Sequence, residues 1–186
     1  MKEYIQEGLA LAYGIICAPK ETLSVIVTEQ RLGEGIAIWI LSVLLSVVSV
    51  WAQWNDASVW TAAAIYGGTA FFLGCRILLI HGSARLLGHR GSIKSLTAAI
   101  CFSEIPLNLA TLFGSLIFVV PGLVVHIVSL AAGIWAFVLD VMAIKANYNT
   151  STGHGVAILL LSVAIIIVAA LILALYAIFT VVSLFY

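Results

Sequence analysis

The stretch LTAAICFSEIPLNLATLFGSLIFV, residues 96–119, is apolar along most of its length and carries a single charged residue, Glu104. A helix needs about 20 mostly apolar residues to cross a bilayer, and this run is long enough. Thr97, Cys101, Glu104, Asn108, Thr111 and Ser115 recur at alternating spacings of four and three. That spacing lines them along one helical face. A carboxylate at such depth costs about 2.5–3.5 kcal/mol on insertion scales unless it meets a partner or water. The polar face therefore points at other protein, and the stretch reads as one span of a bundle. Glu104 lies about 12 Å inside it. Pro106 removes a backbone donor, frees the Phe102 carbonyl and predicts a kink.

The rest of the chain agrees with that reading. Of 186 residues 63% are hydrophobic and 9% charged, and the mean hydropathy is +1.21. These values exclude a soluble globular domain. Apolar runs over 35–54, 58–80, 122–144 and 156–183 bring the expected spans to five. The fold class expected is an all-α integral membrane protein. A cytoplasmic or interfacial helical segment, 1–34, precedes a five-helix transmembrane domain, 35–186. No stretch is left for a soluble enzyme domain. The first residues are acidic and polar and a long apolar core begins only near Gly35, so no cleavable signal peptide is expected. Cys17, Cys75 and Cys101 lack metal-type spacing and read as free, reduced thiols.

Lys and Arg set orientation. Lys2, Lys20 and Arg31 precede the first span, Arg85, Arg90 and Lys94 follow the second, and Lys145 follows the fourth. The segments after the first, third and fifth spans contain neither residue. The N-terminus is therefore expected in the cytoplasm and the C-terminus outside. The loop LLGHRGSIKS, 86–95, would lie against anionic headgroups through Arg85, Arg90 and Lys94, at about 1 kcal/mol per basic residue. No basic stripe with interleaved aromatics points to nucleic acid. Residues 3–17 place Ile5, Leu9, Ala12, Tyr13 and Ile16 on one side of a helix. Pro19 suits the first turn of a second helix, with Glu21 near its positive end and Leu23, Ile26 and Val27 as its apolar face. Both helices are expected at the membrane interface or beneath the bundle.

Other spans repeat the small and polar spacing. Gly35, Trp39, Ser42, Ser46, Ser49 and Gln53 mark the first. Ala63, Gly67, Ala70 and Gly74 mark the second, and His126, Ser129, Gly133, Ala136, Asp140 and Ala143 the fourth. In lipid, small residues let helices approach and polar ones bond across. These four faces are therefore expected to meet helices, with the fifth span peripheral. Arg76 and Asp140 lie near the same membrane side as Glu104. Arg76 can reach either carboxylate or snorkel to headgroups. Glu104, Asn108, Asp140 and Arg76 form the candidate intramembrane polar site. No zinc spacing, phosphate loop or nucleophile–base pair is present, so no cofactor and no enzymatic activity is expected. Two readings follow. The first is a non-enzymatic protein of membrane organisation or partner binding, with a lipid, protein or homo-oligomeric partner. The second is a small transporter or channel for protons or cations that uses the intramembrane carboxylates.

Three stretches carry a family resemblance. CAPKETLSVIV (17–27) is similar to the short Pro-led segment before the first span of the Yip family, the Rab-interacting membrane proteins. LLGHRGSIKSLTAAICFSEIPL (86–107) resembles that family's LLG-x-x-G-S loop and its aromatic–Ser–x–x–Pro element, here Phe102, Ser103 and Pro106. GIWAFVLDVMAIKANYNTSTGHGVAILLL (133–161) resembles its fourth span, polar loop and fifth span. The resemblance implies five spans with a cytoplasmic N-terminus. For eukaryotic members it implies a Golgi or ER location, Rab binding and vesicle traffic. With 34 residues before the first span, the chain resembles the short prokaryotic members, which implies a cytoplasmic (inner) membrane.

Overall fold

The computed structural model describes residues 2–53, 59–114 and 121–183. Among them the chain forms helices and no strand: α1 (Lys2–Cys17), α2 (Pro19–Thr28), α3 (Leu32–Gln53), α4 (Val59–Leu86), α5 (Ile93–Ser103), α6 (Ile105–Gly114), α7 (Gly122–Tyr148) and α8 (Thr152–Ser183). Among the described residues four stretches are long and apolar enough to cross a membrane: Ala63–Leu86, Ile93–Gly114, Gly122–Tyr148 and Thr152–Thr180. The first expected span corresponds to α3, which contains a shorter apolar stretch, Leu32–Leu45. Ser115 and the rest of 115–119, and the side chains of Ile5, Ser46, Ser49 and Gln53, lie outside the described residues.

Helix ends follow local chemistry. The helix expected over 58–80 runs on to Leu86 and stops where Gly88 takes φ +80°. The Gly88 N–H bonds the Arg85 carbonyl at 3.0 Å and the His89 N–H bonds Ala84 at 2.9 Å. This paired closure suits glycine, because a Cβ is disfavoured at that φ. Gly88→Ala is expected to cost about 1 kcal/mol, seen as a lower unfolding midpoint in detergent. Helix α7 likewise passes 144 and ends at Tyr148, where Asn149 turns left-handed (φ 46°) and its N–H caps the Lys145 carbonyl. The expected interruption of the third span falls at Glu104, which keeps right-handed helical backbone and whose N–H still bonds the Ile100 carbonyl at 3.2 Å. Helix α5 ends at Ser103, α6 starts at Ile105, and Pro106 falls in the first turn of α6. The missing proline N–H interrupts the ladder there, and bonding resumes from the Asn108 N–H to the Glu104 carbonyl at 3.0 Å.

Packing is concentrated at the end of the bundle where α4 stops and α5 begins. Ile80, Ala84, Leu96, Phe102, Leu139 and Ile144 form this core, with Ile15, Leu23 and Ile26 from the first two helices. Helix α2 lies against α5 and α7, and burying Leu23 or Ile26 away from water is worth about 1.5–3 kcal/mol each. Inside hydrocarbon that drive is absent, so close approach and hydrogen bonds hold the helices. Gly35 supplies such an approach: a Cβ there would stand 3.0 Å from the Ala98 oxygen and 3.1 Å from Ala98 Cα.

Two of the faces read from the sequence turn outward. On α1 the buried side is Gly8 and Ile15, with Leu11 and Ala12 partly covered; Leu9, Tyr13 and Ile16 are exposed. Apolar residues occupy both sides of this helix, and α3 takes the one that includes Gly8, whose Cβ would meet Ile38 at 3.0 Å. On α4 the small-residue face is open: Ala63, Gly67, Ala70 and Gly74 are exposed, with nothing among the described residues within 4 Å of a Cβ on either glycine. The α4 face turned inward is the one bearing Arg76, Ile77 and Ile80, because the charge needs partners more than the glycines need a neighbour. Helix α8 touches α4 and α7 and is buried only near its start, at Gly155, Ile158, Leu159 and Ser162.

Beneath this core, Arg31 joins the first three helices. Its Nη1 donates to Glu7 of α1 at 2.6 Å and to Glu34 of α3 at 2.9 Å, and its Nε donates to Glu29 at 2.7 Å. The three carboxylates hold the guanidinium well above its ordinary pKa, so it stays charged.

Candidate functional site

Three helices bring one guanidinium and two carboxyl groups together. Helix α4 supplies Arg76, the α5–α6 break supplies Glu104, and α7 supplies Asp140. Each lies about 12–16 Å along its helix from the densely packed end. The extension of α4 to Leu86 is what makes the depths match, because it places Arg76 about three turns from its helix end. At that depth Arg76 does not snorkel. Its Nη1 donates to Glu104 Oε1 and its Nη2 to Asp140 Oδ2. Such a fork-shaped donor is suited to two acceptors at once.

Burial is graded across the cluster. The Asp140 side chain is 4% exposed, Glu104 17% and Arg76 32%. The second Asp140 oxygen, Oδ1, accepts from Ser103 Oγ at 2.6 Å. Ser103 Oγ also lies 2.8 Å from the Ile100 carbonyl, so one hydroxyl hydrogen faces two acceptors. The group contains one more carboxyl than guanidinium, and a single proton would balance it. An apolar cleft of about 310 Å³ reaches Arg76 and Asp140 between α4, α6, α7 and α8, walled by Leu79, Leu107, Phe137, Leu159 and Val163.

Of the four residues expected in the polar site, the structure unites Arg76, Glu104 and Asp140. Asn108 is separate: its Nδ2 donates to Ser42 Oγ of α3 at 2.8 Å. Asn108 reaches α3 while Glu104 reaches α4. The stripe is therefore two sites, an ionic one and an amide–hydroxyl one. Thr111 bonds its own Leu107 carbonyl instead of a neighbour.

Ser103 was not among the expected site residues. Its signals were its place beside Glu104 and within the aromatic–Ser–x–x–Pro element. The pairing of His81 Nδ1 with Tyr148 Oη at 2.7 Å, which ties α4 to α7, had no sequence signal. Among the described residues no group of three His, Cys, Asp or Glu side chains converges on a metal position.

No curated protein and no solved structure matches the chain. The Yip1 domain matches residues 13–183, a range that contains the Arg76, Ser103, Glu104 and Asp140 cluster and nearly all of the bundle. The chain therefore belongs to the Yip1 domain family of membrane proteins.

Proposed function

We propose that the chain is a non-enzymatic membrane protein that organises its membrane or binds partners within it, in a trafficking-type role, and that the Arg76 cluster clamps the bundle. The observation that carries this reading is the engagement of Arg76 by both carboxylates. A guanidinium with its fork filled is satisfied inside a low-dielectric layer. Around the clamp, surfaces remain for partners. Arg85, Arg90 and Lys94 are exposed and suit anionic headgroups. The exposed Leu9, Tyr13 and Ile16 side of α1 suits an interfacial membrane position. The open small-residue face of α4 suits a second helix, from a partner or from another copy.

We also infer that α3 completes five spans, N-terminus inside and C-terminus outside, in a cytoplasmic membrane. The one-sided distribution of Lys and Arg supports this orientation. A Golgi or ER membrane is the corresponding location for a eukaryotic source.

Proton and cation flux in proteoliposomes tests the clamp against transport. Glu104→Gln is expected to leave flux at the background of protein-free liposomes, as in the native chain, and to lower stability by about 1–3 kcal/mol. Native flux above background that the variant loses would make Glu104 a transport residue instead.

A further inference from the structure

A groove of about 490 Å³ lies between α2, α7 and the start of α8; it contains none of the Arg76 cluster and shares Phe137 with the cleft that reaches it. Its lining is divided by chemistry. Lys20, Lys145, Thr150 and Thr152 supply its polar lining, while Phe137 and Val138 extend it along α7. Lys145 and Phe137 are about 12 Å apart along the helix. Since α7 is one of the membrane-crossing helices, the apolar part runs into the hydrocarbon layer from a basic mouth.

The charge at the mouth is uncompensated. No carboxylate lines the groove among the described residues. Lys20 has no ion pair among them, and Lys145 Nζ reaches only Thr152 Oγ1, at 3.5 Å. Arg31 and Arg76, by contrast, are each held by two or more carboxylates. Thr150 Oγ1 is buried and lacks a hydrogen-bond partner among the described residues.

We propose that this groove binds an anionic phospholipid, with its phosphate at Lys20 and Lys145 and one acyl chain along Phe137 and Val138. Two ammonium groups and adjacent hydroxyls match a phosphate. The apolar length behind them matches a chain. A soluble phosphate would leave the apolar part empty, and a lipid without net charge would leave the lysines uncompensated. The site requires only that the chain sit in a bilayer, so it stands apart from the clamp and from the orientation.

Native mass spectrometry of the detergent-solubilised full chain, with phosphatidylglycerol and phosphatidylcholine of the same acyl chains, tests the proposal. Phosphatidylglycerol is expected to be retained in preference. Lys20→Gln with Lys145→Gln should weaken it about thirty-fold, roughly five-fold per lysine. Arg85→Gln with Arg90→Gln, on the neighbouring loop surface, should change it less than about two-fold. Val138→Trp, which fills the groove and keeps both lysines, should also lose the lipid. Glycerol phosphate, the headgroup without chains, should not displace it. Equal retention of the two lipids, an equal loss in the arginine pair, or displacement by glycerol phosphate would each overturn the proposal. So would unchanged binding in a folded Val138→Trp protein. If that variant does not fold, the exposed lysine pair and the two lipids decide the question.

Discussion

Arg76→Leu is expected to destabilise the protein by about 3–5 kcal/mol, as measured by unfolding in mixed micelles. Removing one partner from a buried ionic group leaves the others uncompensated. Here the loss exposes Glu104 and Asp140 to one another inside the bundle, with Ser103 as the donor left to Asp140. The cost lies in the orphaned carboxyls more than in the lost contacts. The triple variant Arg76→Leu, Glu104→Leu, Asp140→Leu should therefore be more stable than Arg76→Leu alone, since an apolar replacement of a whole buried cluster is often near neutral. A clamp role does not survive if Arg76→Leu stays within about 0.5 kcal/mol of the native protein, the range of an exposed ion pair.

Gly91→Ala should cost about 1–3 kcal/mol through overpacking. A Cβ on Gly91 would stand 2.6 Å from both Cδ1 and Cε1 of the Tyr148 ring and 2.7 Å from Asn147 Nδ2. Tyr148 is buried and held to His81, so the ring cannot move without breaking that bond or opening the packed end of the bundle. A double-mutant cycle with Tyr148→Ala isolates the clash. Once the ring is gone, the added methyl should cost at least about 1 kcal/mol less. Additive effects would mean that Gly91 matters for its backbone freedom and not for the space it leaves.

These two residues differ in how far the sequence exposed their roles. Arg76, Glu104 and Asp140 are visible because charge is rare in long apolar runs, and shared depth follows from counting residues along helices. Gly91 sits in a loop whose glycines and basic residues read as a turn and a topogenic signal. Nothing in 86–95 points to a ring that the end of α7 delivers. The small-residue faces are intermediate. Spacing identifies them, but it does not distinguish the α3 face, where Gly35 meets Ala98, from the α4 face, whose glycines meet nothing among the described residues. Asn108 was misplaced because spacing along one helix does not say which neighbouring helix each side chain reaches: Glu104 bonds Arg76 of α4 and Asn108 bonds Ser42 of α3.

The sequence by itself determined the membrane class, the helical content and the presence of charge deep in the apolar spans. Those properties depend on local hydropathy and on the helical repeat, which are carried by neighbouring residues. Only the tertiary structure decided that Arg76 takes both carboxylates, 28 and 64 residues away in the chain. It likewise decided that Asn108 turns to α3, and that Lys20 and Lys145 share a groove. Each of these depends on how separate helices rotate and slide against one another, and that is set by packing between distant segments.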